Sequence, residues 1–383
     1  MIERTLTRII EEKSRLFPIV SITGPRQSGK TTLSKLTFPD YAYYNLEAPD
    51  TFEKLTNDPR TFLLGKKGII LDEIQKAPEL FSFIQVISDE QNVPGQFILS
   101  GPQNFLLQSK INQTLAGRVY NASLLPPDLS ESIASMAACE DPNKQIFQGF
   151  YPRVLSQGIP PTDYYPSYIQ TYVERDVRDV LRIGNLAQFQ RFMKVLAGRA
   201  GKLLNLTAIG NEVGIDHKTV SAWLSILEAS YLVFFLQPYE RNYNKRVVKT
   251  PKLYFYDTGL LCSLLGIETP ESVSQHWAKG ELFENLIIAN IQKRFLHSGR
   301  KVQLYFWRDQ AGHEVDCIYE TNGIPTAIEI KSSATFRQDF LKGLKYFQAL
   351  PDQNLERLKL IYAGNENWID MKTGCEIQSW LSH

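Results

Sequence analysis

The sequence has little cysteine, no long hydrophobic run, no excess of either charge and no internal repeat. Its four cysteines (Cys139, Cys262, Cys317 and Cys375) are scattered through 383 residues. They lack the paired spacing of a zinc site, so reduced structural thiols and a cytoplasmic location are expected. The first residues, MIERTLTRIIEEKSRLF, are interrupted by charges every few positions and have no signal core. No stretch approaches the roughly 18 apolar residues of a membrane helix, so no membrane partner is expected. Lysine and arginine total 42 against 41 aspartates and glutamates. That balance rules out a global basic field, and any nucleic-acid contact must come from a local patch.

The chain is longer than one hydrophobic core usually serves, so two or three domains are expected. Residues 1–130 alternate short apolar strands (FPIVSITG, YAYYNL, KGIILDE, GQFILSG) with turns or helices, which predicts a parallel sheet with crossover helices. A proline-rich polar stretch opens a helical linker or lid over 131–200. A winged helix-turn-helix is expected over 201–275, and a carboxy-terminal α/β domain over 276–383. The fold class is α/β.

Strand FPIVSIT runs into GPRQSGKTTL, which satisfies G-x-x-x-x-G-K-[ST] in its strand-before, helix-after context. Gly24 and Gly29 let the backbone curl so that its N–H groups, with those of Gln27, Ser28 and Thr32, face phosphates. Lys30 reaches the β- and γ-phosphate oxygens, Thr31 offers a hydroxyl to Mg²⁺, and the following helix adds its positive end. In GIILDEIQ, Asp72 is placed to hold the magnesium shell and Glu73 to polarise the attacking water. Ser100 ends the strand QFILSG beside the expected γ-phosphate. Arg118, in LAGRV, can stabilise transferring charge in cis or from a neighbouring subunit of a homo-oligomer. The plainer alternatives are a strand-capping serine and a surface ion pair.

LNLTAIGNEVGIDHKTVSAWLSILEASYLV has helix, tight turn, helix spacing. Leu206, Ile209 and Val213 line one buried face, and Val220, Leu224 and Leu227 the next. The second helix presents His217, Lys218, Ser221 and Ser225 outward. RNYNKRVVKTPK follows, with Arg241, Lys245, Arg246, Lys249 and Lys252 as the one dense basic run. His217, Lys218, Lys245 and Arg246 are therefore the expected DNA contacts; a plain packing module is the alternative. In YVERDVRDV, Arg175 and Arg178 read as solvated ion pairs.

GHEVDCIYETNGIPTAIEIKSS predicts two strands joined at TNG, with Asp316 on the first and Glu329 and Lys331 on the second. Aligned polar faces would cluster the three, and carboxylates in close contact call for a cation such as Mg²⁺. The preceding helix KGELFENLIIANIQKRF is apolar on most sides, so Glu284 is costly there unless it joins the same metal site. Lys331 would then orient or deprotonate water. A salt bridge of Glu329 to Lys331 or Arg308 is the structural alternative.

GPRQSGKTT, LDEIQ, ILSG, LAGRV, YVERDV, KLYFYDTGL, GELFEN and GHEVDCI…IEIKSS together resemble a prokaryotic family of AAA-like P-loop ATPases followed by a large domain of unknown function. The resemblance spans nearly the whole chain. It implies ATP binding with Mg²⁺ and a carboxy-terminal domain similar to PD-(D/E)XK nucleases. Ser100 takes the sensor place, and Glu284, Asp316, Glu329 and Lys331 match the nuclease-like motif. Pro102 departs from the small residue expected after the sensor strand. Two functions follow. One is a DNA-associated ATPase that controls winged-helix and nuclease-like domains. The other is a nucleotide switch whose carboxy-terminal domain serves protein contact.

Overall fold

The computed structural model describes residues 2–66, 68–102, 114–173, 186–239, 249–350 and 357–382. The amino-terminal sheet contains β1 (Ile19–Thr23), β2 (Ala42–Asn45), β3 (Ile69–Asp72), β4 (Phe97–Gly101) and β5 (Val119–Ser123) in the order β2-β3-β4-β1-β5, with every pairing parallel. Its central strands are buried on both faces, as parallel strands covered by helices must be. Ile19, Leu71, Phe97 and Leu99 pack on one side. Val20, Ile22, Ile70 and Ile98 pack on the other. Successive residues along each central strand thus feed two separate cores.

Helices Leu206–Val213 and His217–Ala229 form the expected helix–turn–helix. Asn205 caps the first through Ala208 N (2.9 Å) and Gly214 ends it at φ +82°. Asp216 caps the second through Lys218 N and Thr219 N (2.8 and 3.0 Å). A side-chain acceptor at each start and a left-handed glycine at the turn fix the bend. Val220, Leu224 and Leu227 are buried, while His217, Lys218, Ser221 and Ser225 are exposed.

The second sheet joins β6 (Val233–Pro238) and β7 (Lys252–Phe255) to β8 (Leu304–Arg308), β9 (Glu314–Thr321), β10 (Ile324–Lys331), β11 (Arg357–Tyr362), β12 (Trp368–Asp370) and β13 (Cys375–Ser379). The order is β12-β13-β11-β10-β9-β8-β6-β7. The hairpin that follows the helix–turn–helix therefore extends the carboxy-terminal sheet, with Gln237 and Pro238 paired to Tyr305 and Phe306. Hydrogen bonds of one sheet cross residue 275. One hydrophobic core likewise runs from Leu125 through the middle helices to Trp380.

The helix Lys279–His297 lies in that core. Asn285 closes two 2.8 Å bonds with the N–H and carbonyl of Phe255 in β7. Toward the other end Asn290 accepts from Leu129 N (2.7 Å). At 1.5 Å per residue the helix is roughly 28 Å long, so a single element touches both the hairpin and the edge of the amino-terminal domain.

Candidate nucleotide site and carboxylate pocket

Gly24 and Gly29 are required by shape. A Cβ on Gly24 would sit 2.0 Å from the carbonyl oxygen of Leu124, and Gly29 holds φ +99° as the helix Lys30–Thr37 begins. The loop therefore curls tightly against the segment leaving β5, the conformation that lets loop amides face an anion. The Lys30 ammonium folds back onto the carbonyls of Gly24 (3.1 Å) and Pro25 (2.8 Å). The Ser28 hydroxyl is buried without a hydrogen-bond partner. A buried orphan hydroxyl beside an ammonium that donates to two neutral carbonyls fits an anion that would satisfy the one and draw the other.

Asp72 ends β3 and gathers three hydroxyls. Thr31 donates to Oδ2 (2.7 Å), Tyr43 to the same oxygen (2.9 Å), and Ser100 to Oδ1. Ser100 stands beside Asp72 in the β3–β4 register, so its hydroxyl meets the carboxylate rather than the phosphate loop. The Thr31–Asp72 pair fits Mg²⁺, a hard cation that takes hydroxyl and carboxylate oxygens. Glu73 follows in the left-handed region (φ +59°) and accepts from Gln75 Nε2 (2.5 Å). Burial raises its pKa, against the Gln75 hydrogen bond and the charges of Lys30 and Arg26. A carboxylate pushed up in this way is a better general base.

These groups open on a cleft of about 970 Å³ lined by the loop, Glu73, residues 2–4, and Pro152, Arg153, Ser156 and Gln157 of the helix Pro152–Gln157. Two contacts tie the loop to the rest of the chain. Gln27 lies between Tyr172 OH (3.0 Å) and Tyr164 OH (2.9 Å), both from the middle helices. Arg4, only 9% exposed, donates to Ser28 O (3.0 Å), Leu125 O (2.6 Å) and Glu131 Oε2 (3.1 Å), and lies 3.4 Å from His297 Nε2. His297 Nδ1 meets Asp128 (3.1 Å) and Glu131 (3.2 Å). Burial alone would raise Glu131, but the hydrogen bond and charge of His297, the charge of Arg4 and the Thr5 N–H hold it far below the usual carboxylate range. The ligand atoms of Asp128, Glu131 and His297 all lie within 4.8 Å of one another, and the Arg4 guanidinium joins them as a built-in cation.

In the carboxy-terminal sheet, β9 and β10 pair antiparallel with Cys317 opposite Ile328. The next positions, Asp316 and Glu329, therefore share a face. Ile330 N donates to Asp316 Oδ2 (2.7 Å) and Lys331 Nζ to Glu329 Oε1 (2.5 Å). Glu284 arrives from the long helix and accepts from Tyr254 OH (2.5 Å) and Lys252 Nζ (3.2 Å). Burial raises all three carboxyls. Glu284 is pushed up to about 7 against the pull of Lys252. Asp316 rises against Lys331 and Lys252. Glu329 rises further, with the charge of Asp316 adding to burial.

Residues 16–133 match the description "AAA domain", residues 139–271 a domain of unknown function (DUF8612), and residues 279–376 a domain of unknown function (DUF4143). An uncharacterised protein of Mycobacterium tuberculosis is 30% identical over 366 residues, covering 92% of this chain and 78% of its own length. The uncharacterised protein of Mycobacterium bovis matches to the same extent. The chain belongs to the AAA-like P-loop ATPases that carry a DUF4143 domain. A Walker-type ATPase of Pyrococcus abyssi is similar at 16% identity with a TM-score of 0.42, covering 69% of this chain and 96% of that one.

Within this ATPase, the structure brings Gln27, Ser28, Gly29, Lys30, Thr31, Thr32 and Glu73 to one cleft, with Gly24 at the start of the same loop and Asp72 bonded to Thr31. It also gathers Glu284, Asp316, Glu329 and Lys331 in one pocket. Two expectations are corrected. Arg118 precedes β5 at the start of the parallel strands and pairs with Asp89. The phosphate loop leaves the far end of β1, roughly 16 Å away at 3.3 Å per residue, so Arg118 does not reach its own nucleotide. Lys252 is not part of a solvated basic run. It is 4% exposed and bonded to Glu284 and Glu314. Lys249 is exposed; Arg241, Lys245 and Arg246, like Arg175 and Arg178, lie outside the described residues.

Sequence reasoning missed Arg4, Arg153, Tyr164, Tyr172, Lys252 and the Asp128–Glu131–His297 group. One of these carried a readable signal. Asp128-Leu-Ser-Glu131 is a capping box, visible as acid, two residues, glutamate before a short helix.

Proposed function

We propose that the chain is a Mg²⁺-dependent ATPase, associated with DNA, whose nucleotide state is passed to the helix–turn–helix and the carboxy-terminal sheet. The observation that carries this reading is Arg4. One guanidinium holds the phosphate loop at Ser28 O, the Glu131 capping box and the end of the helix whose other end holds Glu284. Lys30 leaves the carbonyls of Gly24 and Pro25 for the phosphate oxygens. Thr31 and Asp72 hold Mg²⁺, which neutralises phosphate charge. Glu73 orients the attacking water and draws its proton. Arg153, which lines the same cleft, takes the charge-stabilising role in cis that Arg118 is too distant to fill. DNA contact is assigned to the exposed first turn of the second helix, at His217 and Lys218.

The test is Glu73→Gln. Hydrolysis is expected to fall about 10²- to 10⁴-fold with ATP still bound, and the trapped variant to shift duplex DNA in ATP in a salt-sensitive way. Unchanged turnover removes the role of Glu73, and the absence of any shift with or without ATP removes the DNA association. A second reading, a switch whose carboxy-terminal pocket cuts nothing, is favoured by the ammonium of Lys252 among its carboxylates.

A further inference from the structure

The carboxylate pocket has the acids of a metal site but also contains a cation of its own. Lys252 enters from β7, 4% exposed. Its ammonium bonds Glu284 Oε1 at 3.2 Å and Glu314 Oε1, and lies 5.5 Å from the centre of the Phe306 ring. The pocket's charges nearly balance without an added ion. Four carboxylates (Glu284, Glu314, Asp316 and Glu329) face the ammoniums of Lys252 and Lys331, and Arg308 reaches Glu314 Oε2 at 3.4 Å. One negative charge is left over, enough to keep a proton but not to hold a divalent ion. The leftover acceptor is visible: Glu329 Oε2 is buried and has no partner.

We propose that Lys252 is the built-in cation of this pocket, occupying the place a divalent metal would take, and that the pocket as folded excludes such a metal. A metal joining Glu284 and Asp316 would have to displace an ammonium that bridges the helix Lys279–His297 to β9, in surroundings with almost no solvent to screen the repulsion. The ammonium is held in place from β7, which is itself tied to the same helix by the paired bonds of Asn285 to Phe255. The retained acids do not amount to a resident metal centre. This inference does not depend on ATP hydrolysis and stands or falls separately from it.

The experiment is a Mn²⁺ titration of the nucleotide-free full chain, followed by electron paramagnetic resonance. Wild type is expected to show no Mn²⁺ site that depends on Glu329. Lys252→Met, which keeps the aliphatic stem, is expected to gain one site at least thirtyfold tighter, to lose it again when Glu329→Gln is added, and to melt at a higher temperature with Mn²⁺ present. If wild type binds Mn²⁺ in a way that Glu329→Gln abolishes, the proposal is overturned, and this arm needs no Lys252 variant to fold. A folded Lys252→Met that gains no Mn²⁺ overturns it equally.

Discussion

Lys30 and Lys252 are both buried lysines beside acids, yet they do opposite work. The Lys30 ammonium rests on two neutral carbonyls at the wall of an open cleft. Lys252 rests on two carboxylates and is itself only 4% exposed. Burial alone would lower the pKa of Lys252, but Glu284, Glu314 and Asp316 outweigh it and hold the group firmly charged. A hydrogen bond to a neutral carbonyl is readily exchanged for a charge-assisted one to phosphate, whereas a desolvated ion pair leaves an uncompensated charge when broken. What a lysine can do is set by the charge of the acceptors it rests on more than by how deeply it is buried.

The comparison is sharpened most by truncating each lysine. Lys30→Ala is expected to weaken ATP binding at least 100-fold, about 2.7 kcal/mol, and to leave the urea midpoint of the nucleotide-free protein close to wild type. Lys252→Ala is expected to cost roughly 3–5 kcal/mol of stability, since it strands Glu284 and Glu314. Calorimetric titration and denaturation check both. Equal loss of stability in the two variants would erase the distinction.

The same contrast explains what could be read from the sequence. Local grammar specified the nucleotide site: Gly24 and Gly29, the lysine and threonine that follow, and Asp72 at a strand end all act within a few residues of one turn. Four of the five strands of the amino-terminal sheet were legible as short apolar runs followed by turns or helices, whereas the edge strand β5, with a single fully buried residue, was not. The acids of the second pocket were legible through β9 and β10, which are joined by a short turn. Lys252 was not, because its neighbours in sequence are basic and its neighbours in space, Glu284 and Glu314, come from elements 32 and 62 residues away. Arg4 was hidden in the same way, 127 residues from Glu131. Arg118 misled because a motif identifies a residue type without saying at which end of a sheet it stands.

A second buried charge cluster gives an intermediate effect. Asp128 and Glu131 both titrate below their ordinary values: burial opposes this, but the hydrogen bond from His297 and its charge prevail. The folded chain therefore binds fewer protons here than the unfolded one. The resulting stabilisation is complete above roughly pH 4.5, the ordinary carboxylate range, and is lost progressively as pH falls from there toward the folded values. Glu131→Gln keeps the shape but removes the charge that Arg4 and His297 face. It is expected to cost about 2 kcal/mol near neutrality and to flatten the acid limb of a urea-midpoint-against-pH curve. An unchanged acid limb would mean that the link between the phosphate loop and the long helix is not electrostatic.

The smallest effect is expected at Arg118. Its guanidinium makes a two-point contact with Asp89, Nη2 to Oδ2 at 2.9 Å, but both groups are solvent-facing, and exposed pairs of this kind contribute little to stability. Arg118→Ala should therefore leave the turnover of dilute protein within about twofold of wild type, because the residue stands a full strand length from its own nucleotide. Turnover measured against protein concentration decides what remains. A deficit that appears only as concentration rises would place Arg118 at a neighbouring chain's phosphate. A deficit present at high dilution would mean that charge at the base of the sheet reaches the site through the strands, and the line drawn here between a displaceable lysine and a structural one would need to include groups that touch neither pocket.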